Sequence, residues 1–147
     1  MIRITRKLLV VFMVAGLAAG VVACGKKKAE EAPAPSQTAA VTVTDVELGR
    51  AIGGDKHVTD KTDSFAPNDA IYAVVLTSGT SANANLKARW TFQDGQVVDE
   101  SDRSIAPSGD EATEFHISKP DGWPKGKYKV EILLDGSPAK TKDFEVK

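Results

Sequence analysis

The strongest constraint on the fold of this chain is a strict alternation of apolar and polar side chains. In the segment "LKARWTFQ", Leu86, Ala88, Trp90 and Phe92 share one parity, while lysine, arginine, threonine and glutamine occupy the other. A period of two is that of a β-strand, whose successive side chains point to opposite faces of a sheet. The segment therefore predicts a strand that buries one face and leaves the other in solvent.

Five further segments between residues 41 and 147 show strand-type patterns. "GKYKVEILLDG" repeats the alternation, "AIYAVVLTS" is apolar nearly throughout, as is typical of a central strand, and shorter patterns occur in "TEFHIS" and "KDFEV". "VTVTDVEL" opens the series with Val41 and Val43 directed inward. In the later strands we expect these side chains inside: Phe115, Ile117, Tyr128, Val130, Ile132, Leu134, Phe144 and Val146.

Turn signals separate these segments. Asp-Gly pairs at Asp94-Gly95 and Asp135-Gly136 predict hairpins, and further clusters of Pro, Gly, Asn and Asp begin at Pro67, Pro107 and Pro120. No helical period competes with this pattern. About seven short strands therefore predict one all-β domain, an antiparallel β-sandwich with a single core.

The segments "LKARWTFQDGQVV" and "GWPKGKYKVEILLDGSPAKTKDFEV" resemble bacterial immunoglobulin-like and fibronectin type III-like domains. The resemblance implies that Trp90 is the buried tryptophan of strand C and that Tyr128 forms a tyrosine corner. It also implies that Lys127 to Val146 is the hairpin of strands F and G. Val130 stands where an antibody domain has its second cysteine, so an antibody-type disulfide is not implied.

The first 23 residues have the layout of a secretory signal. Arg3, Arg6 and Lys7 precede an uncharged, mostly apolar run from Leu8 to Val22. A membrane-spanning helix is the alternative, but it needs about 20 apolar residues. This run is shorter, and three lysines follow Cys24 closely. We therefore predict that residues 1–23 are a signal helix that is cleaved.

The end of this signal, Val21-Val22-Ala23-Cys24, resembles a bacterial lipobox. The resemblance implies that Cys24 receives a diacylglyceryl group and, after cleavage in front of it, a further acyl chain such as palmitate. Two or more acyl chains hold a protein stably on a bilayer, whereas one chain does so only marginally. An unmodified free thiol is the alternative. Gly25 after Cys24 implies, under enteric sorting rules, the outer membrane, with the protein facing the periplasm or the cell surface.

Residues 24–40 are predicted to be the lipidated cysteine and a flexible, disordered tether, because they are rich in Ala, Pro, Lys and Glu. Residues 41–147 then form the immunoglobulin-like domain. Loss of residues 1–23 removes three of the 19 basic residues and none of the 20 acidic ones, which leaves a net charge near −4. Phosphate binding needs a basic surface. We therefore expect that the chain binds no nucleic acid. We also expect a monomer, because the outward positions of the strands are charged, and contact with the membrane through the lipid on Cys24.

No segment carries a recognisable catalytic motif, so we predict no enzyme, no cofactor and no metal site. His57 has Asp55, Asp60 and Asp63 near it in sequence, but an ordinary polar loop explains the same residues. His116 lies on an outward parity and is expected in solvent. The acidic segments "VDESD" and "SGDE" lack the glycine-punctuated loop of a recognisable Ca²⁺ site.

Trp123, in "KPDGWPKG", is the one large aromatic residue in a predicted loop. One hypothesis makes Asp121, Trp123 and Lys125 a partner-binding loop, because aromatic residues anchor ligands. The other holds that Gly122 and Pro124 fix the indole over the core. We favour packing against the last two strands or the first strand.

These features predict a lipid-anchored binding or interaction module of the bacterial cell envelope. Its expected partner is another envelope protein or a polysaccharide. The alternative is an inhibitor-like or chaperone-like module that captures a client by pairing with an edge strand.

Overall fold

The computed structural model describes residues 40–147, which form two β-sheets packed face to face. The first sheet has the order β1-β3-β6, and the second has the order β2-β8-β7-β4-β5. All pairings are antiparallel except that of β2 with the end of β8. The strands are β1 (Thr42–Gly49), β2 (Ser64–Phe65), β3 (Ile71–Ser78), β4 (Ala84–Phe92), β5 (Gln96–Ile105), β6 (Glu111–Ile117), β7 (Gly126–Leu134) and β8 (Ser137–Val146).

The predicted all-β sandwich is confirmed, with eight strands in place of about seven. The predicted signal, Cys24 and the tether up to residue 39 lie outside the described residues. Two strands carry no apolar alternation in the sequence. β2 has only two residues, and β5, an edge strand, is exposed or half-buried along nearly all of its length. The acidic segment "VDESD" lies within β5.

The alternation of the central strands places their apolar face in the core, as predicted. Trp90 in β4 and Val130 in β7 are fully buried. The Trp90 ring meets Phe144 edge to face, with 5.8 Å between ring centroids, and Phe144 stacks on Tyr128 at 5.3 Å. Aromatic pairs of this geometry stabilise a core beyond the area that they bury. These three rings line the inner face of the five-stranded sheet and belong to the core of the sandwich.

β1 changes phase within its length. Val43 is half-buried, whereas Val46 and Leu48 are the buried residues of the strand. The pairing with β3 shifts between Val43 and Asp45, which leaves Thr44 as an extra residue. A bulge of this kind moves the following side chains to the other face. Val41 and Val43 pack against the core, as expected, and after the bulge Val46 and Leu48 take the inward direction.

The connection between β1 and β2, residues 50–63, packs on the outer face of the three-stranded sheet. Val74 is on the outward parity of β3 but is fully buried, and Val58 of the connection is buried with it. The Val58 amide donates to Oε2 of Glu47, the register neighbour of Val74, at 3.4 Å. A Cβ at Gly49 would stand 2.2 Å from the carbonyl oxygen of Asp60. This close approach explains the glycine.

Tyr128 forms the corner that the resemblance implied. Its hydroxyl donates to the carbonyl oxygen of Pro124 at 2.8 Å, and its side chain is buried. Burial raises the pKa of the Tyr128 hydroxyl. The bond fixes the start of β7 to the loop before it.

Replacement of Tyr128 by Phe tests this bond. We expect a loss of about 1–3 kcal/mol in the free energy of unfolding, because the carbonyl of Pro124 is left without its donor. Chemical denaturation measures the loss. The matched control is Tyr72→Phe, since the Tyr72 hydroxyl makes no hydrogen bond to a described residue. Equal losses in the two variants would contradict the account.

Candidate functional site

The predicted partner-binding loop forms one corner of the sandwich, which we define as residues 121–125. Trp123 is buried, with 8% of its surface exposed, and its ring meets Tyr128 edge to face at 6.2 Å. Its backbone amide donates to the carbonyl of Pro67 at 2.7 Å, and its Nε1 donates to the carbonyl of Asp69 at 3.3 Å. The expected packing of Trp123 against the last two strands is confirmed through Tyr128.

Gly122 lets the chain turn into this corner. Its φ is +80°, in the left-handed region that favours glycine. Its amide donates to the carbonyl of Lys119 at 2.9 Å. A Cβ at this position would stand 3.1 Å from Oδ1 of Asn68. The local sequence and the 66–69 turn together fix the direction of the corner.

The turn 66–69, beneath the corner, is held by the carboxylate of Asp69. Asp69 Oδ2 accepts from the backbone amide of Ala66 at 2.8 Å and from Nε of Arg50 at 2.9 Å. These two donors hold the pKa of Asp69 below its ordinary value, the amide being the larger cause. Since Asp69 also receives the Trp123 indole through its carbonyl, the connection 50–63, the turn and the corner form one bonded unit.

Two exposed charged residues flank the buried indole. Asp121 and Lys125 are both exposed, and neither makes an ion pair within residues 40–147. An acid and a base held at fixed positions on a rigid loop can orient a partner of opposite charge pattern. The aromatic ring of Trp123 itself is not available to such a partner.

His57 lies in the connection 50–63, on the outer face of the first sheet beside Glu47. Its Nδ1 is 3.7 Å from Oε2 of Glu47, whose Oε1 binds the Lys61 ammonium. The Lys61 hydrogen bond holds the pKa of Glu47 below its ordinary value of 4.5. Asp55 accepts from the His57 amide, and Asp60 lies beside Arg50. The sequence did not predict Glu47 as the partner of His57, nor Lys61 as a second partner of Glu47.

The remaining sequence candidates do not meet at one place. His116 is exposed on the outer face of β6, as expected, 3.1 Å from Oε1 of Glu114. Glu100 and Asp102 pair with Arg89 and Lys87 across β4 and β5. In residues 40–147 no group of three or more His, Cys, Asp or Glu is placed to hold a metal ion. Within the same residues, no helix is long and apolar enough to cross a membrane.

Known proteins resemble this chain in structure and not in sequence. No family model and no curated protein sequence matches it. An immunoglobulin-like protein from Pseudomonas aeruginosa superposes with a TM-score of 0.50 at 15% identity, over 76% of this chain and 99% of its own. The chain has an immunoglobulin-like β-sandwich fold. At such identity the likeness extends to the fold alone.

Two further solved structures share less with the chain. The CARDB domain of a Pyrococcus furiosus protein, solved with di-metal ions, gives a TM-score of 0.45 at 12% identity, over 75% of this chain and 88% of its own. An alkylpurine DNA glycosylase of Pseudomonas fluorescens, bound to DNA, gives 0.49 at 14% identity, over 74% of this chain and 31% of its own.

Replacement of Trp123 by Ala tests the packing of the corner. We expect a loss of about 3–5 kcal/mol in the free energy of unfolding, as for other buried tryptophans. Chemical denaturation measures it. Lys125→Ala, in the same loop but exposed, is the control and should change the free energy by less than about 0.5 kcal/mol. A loss that small for Trp123→Ala would mean that the indole does not hold the corner.

Glu47 predicts a pH dependence of stability. A carboxyl whose pKa is lower in the folded chain stabilises the fold above its unfolded pKa, and this contribution disappears as the pH falls through the folded pKa. The free energy of unfolding should therefore fall as the pH drops below about 4.5. Glu47→Gln should flatten this fall, whereas Glu111→Gln, which removes a carboxylate without an ion pair in residues 40–147, should not. Superimposable pH profiles for wild type and Glu47→Gln would refute the assignment.

Proposed function

We propose that this chain is a lipid-anchored protein of the bacterial cell envelope whose immunoglobulin-like domain binds another envelope component and catalyses no reaction. The partner is a protein or a polysaccharide. The anchor is on Cys24, and the location is the outer membrane, facing the periplasm or the surface. The domain works as a monomer on a tether that runs from residue 24 to residue 40.

Support for the anchor comes from the amino terminus. A basic stretch, an apolar run from Leu8 to Val22 and the small residue Ala23 precede Cys24. Cys24 is the only cysteine of the chain, so it has no disulfide partner within it. Thioether lipidation gives a lone cysteine at this place a physical role.

The observation that carries the binding proposal is the rigid corner 121–125. Trp123, Gly122 and the Tyr128 hydroxyl bond fix its backbone, so a partner that binds Asp121 and Lys125 orders little additional chain. Preorganisation of this kind raises affinity because binding then costs less conformational entropy. The neighbouring turn at Asn68 extends the same surface.

The surroundings of the two histidines support a role without catalysis. His57 and His116 are about half exposed, at 48% and 52%, and each faces one glutamate on the outer surface of the first sheet. Neither lies in a closed pocket with a hydroxyl nucleophile. Domains of this fold serve many unrelated roles, so the proposal depends on the corner and not on the fold.

Cys24→Ser tests the anchor. We expect complete loss of metabolic acyl labelling and of cleavage, with the domain still folded, because Cys24 precedes the described sandwich. Labelling in cells with gel analysis measures both effects, and β-type circular dichroism is the control for folding. Acyl label that persists in Cys24→Ser would overturn the anchor.

Photo-crosslinking tests the corner. A photoreactive amino acid at Lys125 should trap a discrete envelope partner in cells, because the side chain is exposed on a fixed backbone. The matched control is the same residue at Ser137, which is exposed at the start of β8, at the end of the β7–β8 hairpin opposite the corner. Products identical at the two positions would mean that the corner is not the binding site.

Client capture by an edge strand is the second candidate function, and one observation favours it. β6 has no pairing partner on its outer side within residues 40–147. Main-chain pairing on such an edge is an established way of binding extended segments.

A further inference from the structure

The sandwich has open sheets, so several strands present an unpaired backbone edge. Unpaired N–H and C=O groups on an edge can template another strand, and natural proteins block them with bulges, proline, charged side chains or covering segments. The edges of this domain differ in how well they are blocked.

The edges formed by β1 and β8 are protected. β1 has the bulge at Thr44, and the Lys140 ammonium donates to the carbonyl oxygen of Thr44 at 2.9 Å. The end of β8 is covered by β2. The uncovered part of β8 carries Pro138, Lys140 and Lys142. These are the residue types that prevent edge pairing.

β5 is protected by irregularity and charge. Its pairing with β4 shifts opposite Trp90 and Thr91, which bulges the strand near Val98. The following residues are mostly exposed, and three of them are the acids Asp99, Glu100 and Asp102. An incoming strand would have to approach this row of carboxylates.

β6 has fewer of these devices, since its carboxylates are limited to Glu111 and Glu114. Its seven residues pair with β3 in continuous register, from Ile71 with Ile117 to Thr77 with Glu111. It contains no proline, lysine or bulge. From Ala112 to Ile117, no backbone group bonds to a described residue outside β3. Since alternate N–H and C=O groups of an edge strand face away from its neighbour, β6 offers a regular row of free donors and acceptors.

A groove of about 410 Å³ lies beside this edge. It is lined by β6, by Arg103, Ser104 and Ile105 at the end of β5, and by Lys56. Thr113 lines it too and is 9% exposed, and its buried Oγ1 has no hydrogen-bond partner in residues 40–147. Buried polar atoms are normally paired. A hydroxyl on an added strand would supply the missing partner, as in cross-strand Thr–Thr pairs.

Charge in the groove indicates the chemistry of the added strand. Arg103 lies over the Phe115 ring, 5.6 Å from its centroid, and neither Arg103 nor Lys56 pairs with a carboxylate in residues 40–147. Of the acids that also line the groove, Glu114 is occupied by His116, and Glu111 lies at the far end of β6. A carboxylate opposite Phe115 would therefore meet the Arg103 guanidinium.

We propose that the free edge of β6 binds an extended segment of a partner protein as an added strand. The segment carries a serine or threonine opposite Thr113 and an acidic residue two positions away, opposite Phe115, where Arg103 receives it. This inference rests on the proposed function as a binding module and specifies its second form, client capture. The spacing of two follows because Thr113 and Phe115 share one face of β6.

A synthetic nonapeptide, Ser-Val-Asp-Val-Thr-Val-Asp-Val-Ser, is a suitable probe because its sequence reads the same in both directions and fits either strand polarity. Fluorescence anisotropy with the full chain in detergent measures its binding. Two further forms of the peptide carry N-methyl groups on alternate residues, one form on the odd-numbered residues and the other on the even-numbered residues. In an added strand, the amides of one of these two sets face β6 and those of the other set face away. We expect one methylated form to bind like the parent and the other to bind at least about tenfold more weakly.

Arg103→Glu tests the charge. It should weaken binding by about tenfold or more, and a peptide with lysine in place of aspartate should bind this variant better than the wild type. Lys142→Glu is the matched control, since it makes the same change in net charge on β8 and should leave the affinity unchanged. Circular dichroism of each variant establishes that it is folded.

Equal affinity for the two methylated forms, or absence of parent binding at about 1 mM peptide, would overturn the inference. Sedimentation equilibrium tests whether a second copy of the chain occupies the β6 edge. If the wild type is a dimer and the Ala112→Lys variant is a monomer, a second copy fills the edge, and the inference is overturned. If the peptide fails while crosslinking at Lys125 still traps a partner, the binding module stands and only the β6 site is wrong.

Discussion

The stability of this domain depends on the packing of its aromatic side chains in the core, because its chain has one cysteine, Cys24, and hence no internal disulfide. Trp90 meets Phe144 edge to face, Phe144 stacks on Tyr128, and Tyr128 meets Trp123. The same series of rings thus leads from the centre of the core to the corner. The rigidity of the candidate site thus depends on core packing as well as on the hydrogen bonds that hold the corner.

The sequence predicted strands where one face is buried and the other is in water, as in β4 and β7. The apolar period is absent where that condition does not hold. β5 has solvent on most of its length, so no apolar period marks it. β3 was predicted correctly as a central strand, and it reads as apolar throughout because Val74 faces outward but is covered by the connection 50–63. The bulge at Thr44 interrupts the apolar alternation of β1. Its only sign in the sequence is the odd spacing of three positions between the inward residues Val43 and Val46.

The candidate sites were predictable to different degrees. Gly122 and Pro124 indicate that Trp123 has a fixed direction, and local sequence suffices for that. The carbonyl of Asp69 that receives the indole is 54 residues away, and no local pattern points to it. The open edge of β6 is harder still to predict from the sequence, because it depends on which strands lie at the edges of the two sheets. That order follows from the packing of the whole domain.

The three-stranded sheet has a mechanical consequence. Thr42, where the described chain enters the sheet, pairs with Ser78 at one end, whereas Ile71 and Ile117 pair at the other, beside the corner. With the lipid anchor that we propose on one side and a partner held at the corner on the other, tension would run parallel to the strands. The hydrogen bonds between β1 and β3 would then carry the load together, in shear, and not open one after another. A domain of this build would resist unfolding while its anchor and a bound partner are pulled apart.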